Sequence, residues 1–147
     1  MIDGAWKQLD AGNDEPFLVY DNGPEAVVRV VVFGTETALR HLAQADVWYM
    51  DGNFALAPKF LSQLYVIRAA LGDAAITCTY ALLAGKSREV YEEMLRGITR
   101  KCDALGYTAD PRRIVVDYEQ VRYGKVCELV ENIGNCGYWM LSTFVLC

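Results

Sequence analysis

The chain has one histidine, His41, so a site built on two or three imidazoles is excluded. Its five cysteines, Cys78, Cys102, Cys127, Cys136 and Cys147, are odd in number and irregularly spaced. Such spacing does not describe a disulfide framework, and without a Cys-x-x-Cys pair a zinc knuckle lacks its ligands. Free thiols fit a reducing compartment. No apolar run reaches the roughly 18 residues needed to span a bilayer, so no membrane partner is expected. The start, Met1-Ile2-Asp3-Gly4-Ala5-Trp6, has no basic stretch leading into an apolar one, so secretion is not expected. Excess positive charge is missing as well. The formal net charge is −5, a poor footprint for a free-standing nucleic-acid binder. Internal repeats and low-complexity segments are also absent.

What is present is apolar. Hydrophobic residues make up 53% of the 147, enough for one folded domain with a real core. Residues 9–16 read as a loop. Val27 to Phe33 is β-branched and reads as a strand. Thr35 is placed to cap a short helix through Ala38, Leu39, Leu42 and Ala43. Val47 to Asp51 reads as a second strand, Asn53 to Pro58 as a connector and Leu61 to Leu71 as a long strand with few charges. Gly72-Asp73 signals a tight turn into Ala75 to Leu83. Ser87 is placed to cap a helix to about Leu105, closed by Gly106. Ile114 to Asp117 reads as a short buried strand and Glu119 to Glu131 as a helix. The apolar stretch Cys136 to Cys147 reads as a strand or a remnant. Three meandering strands, then a helical crossover to a further strand, is the ribonuclease H-like order. The crossover rule makes that last strand parallel to a meander strand.

Two acids stand out. Asp51 and Asp117 each close an apolar run, where a carboxylate is costly unless solvated, paired or bound to a cation. Alternation puts Tyr49 and Asp51 on one face, and Val115 and Asp117 likewise. On adjacent parallel strands the two carboxylates would meet and could hold a hard divalent cation. Both also have ordinary readings. Asp51-Gly52 is a turn dipeptide, and Asp117 is a plausible helix N-cap.

The segment Ala45-Asp46-Val47-Trp48-Tyr49-Met50-Asp51-Gly52-Asn53-Phe54 resembles the Asp-Gly-Thr-Phe strand that opens the catalytic domain of Mutator-like (MULE) DNA transposases, with Asn53 in place of threonine. The likeness continues through Ala57-Pro58-Lys59-Phe60, Gln63 to Ile67, Tyr80 to Leu83 and Lys86 to Tyr91. It closes on Asp117-Tyr118-Glu119, similar to the family's Asp-Phe-Glu. Val30 to Leu42 fits the strand and helix that usually precede the first acid, and the resemblance covers about residues 28 to 120.

The resemblance implies a ribonuclease H-like α/β fold: a mixed sheet of a three-strand antiparallel meander plus a parallel strand, flanked by helices and incomplete at its C-terminal side. It implies a DDE-type strand transfer with Mg²⁺ or Mn²⁺, DNA (transposon ends) as partner, and a nuclear or cytoplasmic location. Asp51 carries over as first catalytic acid and metal ligand, and Asp117 as second. Glu119 belongs to the Asp-aromatic-Glu motif and is a weaker candidate. The implied organisation is an N-terminal extension over residues 1–27, a partial domain over 28–135 and a divergent apolar tail over 136–147.

The family's third acid, a glutamate, has no counterpart in the 30 residues after Asp117. The family's Cys-x-Phe-His element falls on Cys136-Gly137-Tyr138-Trp139, with tryptophan in the histidine position. The expectation is a fragment that neither cleaves nor joins DNA. The alternative is a non-catalytic interaction domain, domesticated or derived from a pseudogene. Loss of cover over Ile114, Val116, Trp139, Leu141 and Phe144 would favour self-association.

The remaining candidates read as structural. Arg96, Arg100, Lys101, Arg112 and Arg113 form the local basic clusters and read as solvated charge before DNA contacts. Gln63 and Tyr65 share a strand face and read as a buried hydrogen-bonding pair.

Overall fold

A computed structural model of the chain describes residues 8–10, 13–53 and 55–116. Within them the fold is mixed α/β. The strands are β1 (Gln8–Asp10), β2 (Asn13–Pro16), β3 (Leu18–Asp21), β4 (Val30–Phe33), β5 (Val47–Asn53), β6 (Gln63–Leu71), β7 (Ala74–Leu83) and β8 (Arg113–Val116). The helices are α1 (Glu36–Gln44) and α2 (Arg88–Ala104). β1 and β2 form a small antiparallel sheet, and the other six strands form one sheet in the order β3-β4-β7-β6-β5-β8.

The expected meander is there. β5, β6 and β7 pair antiparallel in succession, and β8 returns parallel to β5 after α2. The β6–β7 turn is the two-residue loop Gly72-Asp73, with Gly72 at φ 58°. A positive φ at the first loop position is the requirement of a type II′ hairpin.

The N-terminal region departs from the sequence reading. Residues 8–10 and 13–16, read mostly as loop, pair as strands, and Leu18–Asp21 adds an edge strand to the main sheet. A short polar ladder held by backbone hydrogen bonds leaves no hydrophobic period to read. The strand expected from Val27 begins instead at Val30. Asn22 explains the shift, because its Oδ1 accepts from the Val30 amide and its Nδ2 donates to the Val28 carbonyl. Arg29 pairs with Asp21 across the same loop. Val27 is thereby left fully exposed.

Both helices cover one face of the sheet. Leu39 and Leu42 from α1 and Val90, Met94, Leu95, Ile98 and Cys102 from α2 share one core with Val30, Val32, Trp48, Met50, Ile67, Ile114 and Val116. Trp48 ties β5 to α1, its indole N–H donating to the Leu42 carbonyl at 2.8 Å. That bond satisfies a buried donor at a helix-terminal carbonyl that also accepts from the Ala45 amide. Thr35 caps α1 as expected, its side chain accepting from the Ala38 amide. Ser87 occupies the N-cap position of α2 but makes no side-chain cap bond. At the other end of α2, Gly106 (φ 81°) donates to Asp103 and Tyr107 donates to Cys102. This is the Schellman pattern that glycine permits.

Ile114 and Val116 were expected to be partly exposed. They are 3% and 9% exposed, because β8 lies on the β5 edge beneath the helix layer. Trp139, Leu141 and Phe144 lie outside the described residues. Among the described residues no helix is long and apolar enough to cross a membrane.

Candidate functional site

β5 carries the first acid. Its burial alternates: Trp48 and Met50 point into the core, Tyr49 is half-buried, and Asp51 is exposed on the opposite face. Asp51 is therefore solvated, which removes the cost of a carboxylate in an apolar strand. The strand does not stop at this acid. It runs on to Asn53, with Asp51 opposite Val66 and Gly52 opposite Tyr65. The turn comes later, where the Asn53 side chain accepts from the Leu56 amide. Asp51-Gly52 is thus strand, and the turn-dipeptide reading does not hold.

β8 runs parallel along the other side of β5. Its register pairs Val47 with Arg113, Trp48 with Ile114, Tyr49 with Val115 and Met50 with Val116. Asp117 and Glu119 lie outside the described residues. Among the described residues no group of three or more metal-ligating side chains gathers. Asp51 offers an exposed carboxylate to a cation, and the described residues assign it no ion pair.

A polar cluster lies beneath Asp51, on the helix side of the sheet. Gln63 and Tyr65 are both buried, yet they do not bond each other. Gln63 Nε2 donates instead to the Gly85 carbonyl at 2.8 Å and to the Tyr91 hydroxyl at 3.0 Å. The Tyr65 and Tyr91 rings pack tilted, 5.3 Å between centroids. Gln63 Oε1, the Tyr65 hydroxyl and Thr79 Oγ1 have no hydrogen-bond partner among the described residues. Burial raises the Tyr65 hydroxyl well above its ordinary value, with lesser contributions from Tyr91 and the Asp51 charge. It therefore stays protonated and acts only as a neutral group.

The basic clusters divide. Arg96 pairs with Glu93 at 2.8 Å, and Arg112 lies 3.3 Å from Asp46, both in solvent-exposed settings. These fit the solvated reading. Sequence reasoning passed over Arg68, the one charge in the otherwise uncharged β6. Alternation places Ile67 and Ala69 in the core and Arg68 on the exposed face that carries Asp51. A lone charge inside a period-2 apolar run was the available signal.

Comparison of the chain with family models, with curated proteins and with solved structures returns no match.

Proposed function

We propose that this chain is the part of a Mutator-like, DDE-type DNA transposase domain that bears the first two acids, built on a ribonuclease H-like sheet. In this reading Asp51 and Asp117 share a divalent cation. The observation that carries it is the β5–β8 register: Val116, which precedes Asp117, is the partner of Met50, which precedes Asp51. Consecutive Cα atoms are about 3.8 Å apart, and paired strands lie about 4.8 Å apart. Whatever course the chain takes after Val116, connectivity alone keeps the two acids' Cα atoms within about 12 Å.

Two carboxylates suit a hard cation such as Mg²⁺ or Mn²⁺ and leave most of its positions to water. Bound there, such an ion would supply Lewis-acid activation of a water or a DNA 3′-hydroxyl. The chain's own contribution is to fix Asp51 on a strand braced on both sides, with the Trp48 and Met50 side chains locked in the core beneath it. A weak site of this kind binds metal without by itself turning over DNA.

The test is calorimetry with Mn²⁺ on the wild type, Asp51→Asn and Asp117→Asn. The expected result is weak binding in the wild type, lost in both variants. Equal heats in all three would reject the site. A plasmid-nicking assay with Mn²⁺ is expected to show no metal-dependent cleavage by these 147 residues.

A further inference from the structure

Arg68 sits in the centre of β6, and its cross-strand neighbours are Tyr49 on β5 and Thr77 on β7. Neither is acidic, and the described residues assign Arg68 no ion pair. On its own strand the residues that share its face are Val66 and Ala70, both apolar. Among the described residues no acidic side chain pairs with this charge. Asp51 carries an opposite charge on the same face, two residues along β5 from Tyr49. Diagonal neighbours of this kind have Cα atoms roughly 7–8 Å apart, within reach of a long side chain. Yet no Arg68–Asp51 pair forms. Arg113, at the start of β8 and in register with Val47, adds a second exposed cation on this face. The two arginines flank β5 on opposite sides.

An exposed guanidinium diagonal to an exposed carboxylate, with no ion pair between them among the described residues, suits a group that can satisfy both. A phosphodiester does so. Its oxygens accept a forked pair of guanidinium N–H bonds, and a cation held by the carboxylate would supply further positive charge to the same group. We propose that Arg68 is a positioning residue that grips a backbone phosphate of a DNA strand laid across the Asp51 face, with Arg113 contacting a phosphate further along. This rests on the metal-dependent reading of Asp51, but the phosphate contact has its own measurement.

The experiment is fluorescence anisotropy of a labelled single-stranded DNA with the full 147-residue chain, titrated at several salt concentrations in EDTA and again in Mn²⁺. The wild type, Arg68→Gln, Arg68→Lys and Asp51→Asn are compared, and Mn²⁺ calorimetry is run on each. In EDTA, Arg68→Gln is expected to bind several-fold more weakly and to flatten the log K against log salt slope by about 0.7, the signature of one lost single-strand phosphate contact. Arg68→Lys should keep the slope and lose part of the affinity, because a point charge cannot fork. Mn²⁺ heats should be unchanged in Arg68→Gln and lost in Asp51→Asn. If the wild type binds no DNA, or if Arg68→Gln matches it in affinity and slope, the phosphate proposal is overturned whatever the metal result. If Mn²⁺ fails to bind while the Arg68 effects persist, the metal reading falls and the phosphate contact stands. Preference for an RNA of the same sequence would overturn DNA as the ligand. Phenylglyoxal modification of the wild type, mapped by mass spectrometry, needs no variant. DNA should protect Arg68, and an Arg68 still modified in the bound complex would count against the contact.

Discussion

The ring of Tyr20 lies against Gly97. A Cβ added at Gly97 would come within 2.5 Å of Tyr20 Cγ, and the Tyr20 hydroxyl donates to the Glu93 carboxylate one turn away on α2. The edge strand β3 is thereby clamped to the helix through a position that only glycine fills. Glycine inside a helix ordinarily costs about 1 kcal/mol relative to alanine. Gly97→Ala is nevertheless expected to destabilise, because overpacking of this kind costs about 1–3 kcal/mol and exceeds the propensity gain. Urea unfolding would show it. A rise in midpoint would mean that Tyr20 moves aside freely.

The two helix starts should respond differently to the same change. Thr35→Ala removes a side-chain bond to the Ala38 amide and should cost about 1 kcal/mol. Ser87→Ala removes no such bond and should stay within about 0.5 kcal/mol of wild type. Chemical denaturation of the pair decides it, and equal losses would contradict the assigned caps.

The buried polar cluster makes an asymmetric prediction. The Tyr65 hydroxyl and Thr79 Oγ1 have no partner among the described residues, so Tyr65→Phe and Thr79→Val should not lower stability. Removing an unsatisfied buried polar group recovers its desolvation cost. Tyr91→Phe deletes the acceptor of a 3.0 Å bond from Gln63 and should cost about 1 kcal/mol. Thermal melts of the three variants separate these outcomes.

Cys78 and Cys102 should be inert in the folded protein. Burial raises both thiols, and Cys102 is pushed up to about 11, with Asp103 and Cys78 adding to the effect. The thiolate is the nucleophile, so iodoacetamide at pH 8 should label neither until the chain is unfolded. The ordinary value for the Cys102 thiol is 9.0. Between that value and about 11 the native state holds a proton that the unfolded state has lost, so this contribution to stability falls as pH rises through the window. Urea midpoints across it should decline more steeply for the wild type than for Cys102→Ala.

Much of this architecture was legible in the residues. Hydrophobic period and turn chemistry located β5, β6, β7, both helices and the strand before Asp117, because each buries an apolar face with a distinct repeat. The N-terminal strands were not legible. β1 and β2 are short and polar, and Leu18–Asp21 is held by pairing with β4 rather than by a period of its own. Gln63 was read correctly as buried but assigned the wrong partner. Adjacency in sequence suggested Tyr65, whereas α2 brings Tyr91 to it. Asp51 was legible as a candidate, but its exposure, its mid-strand place and its neighbour Arg68 depend on register, which only the paired sheet supplies.

The β5–β8 pairing also fixes when the candidate site can exist. The β6–β7 hairpin closes through a two-residue turn and can form early, since short loops close at little entropic cost. The contact between Trp48 and Ile114 joins positions far apart in the chain and must await the meander and the α2 crossover between them. Non-local parallel pairing of this kind forms slowly. The strand that leads into Asp117 is therefore among the last to dock during folding, and a local opening that frees β8 would dismantle the site while the rest of the sheet stays paired.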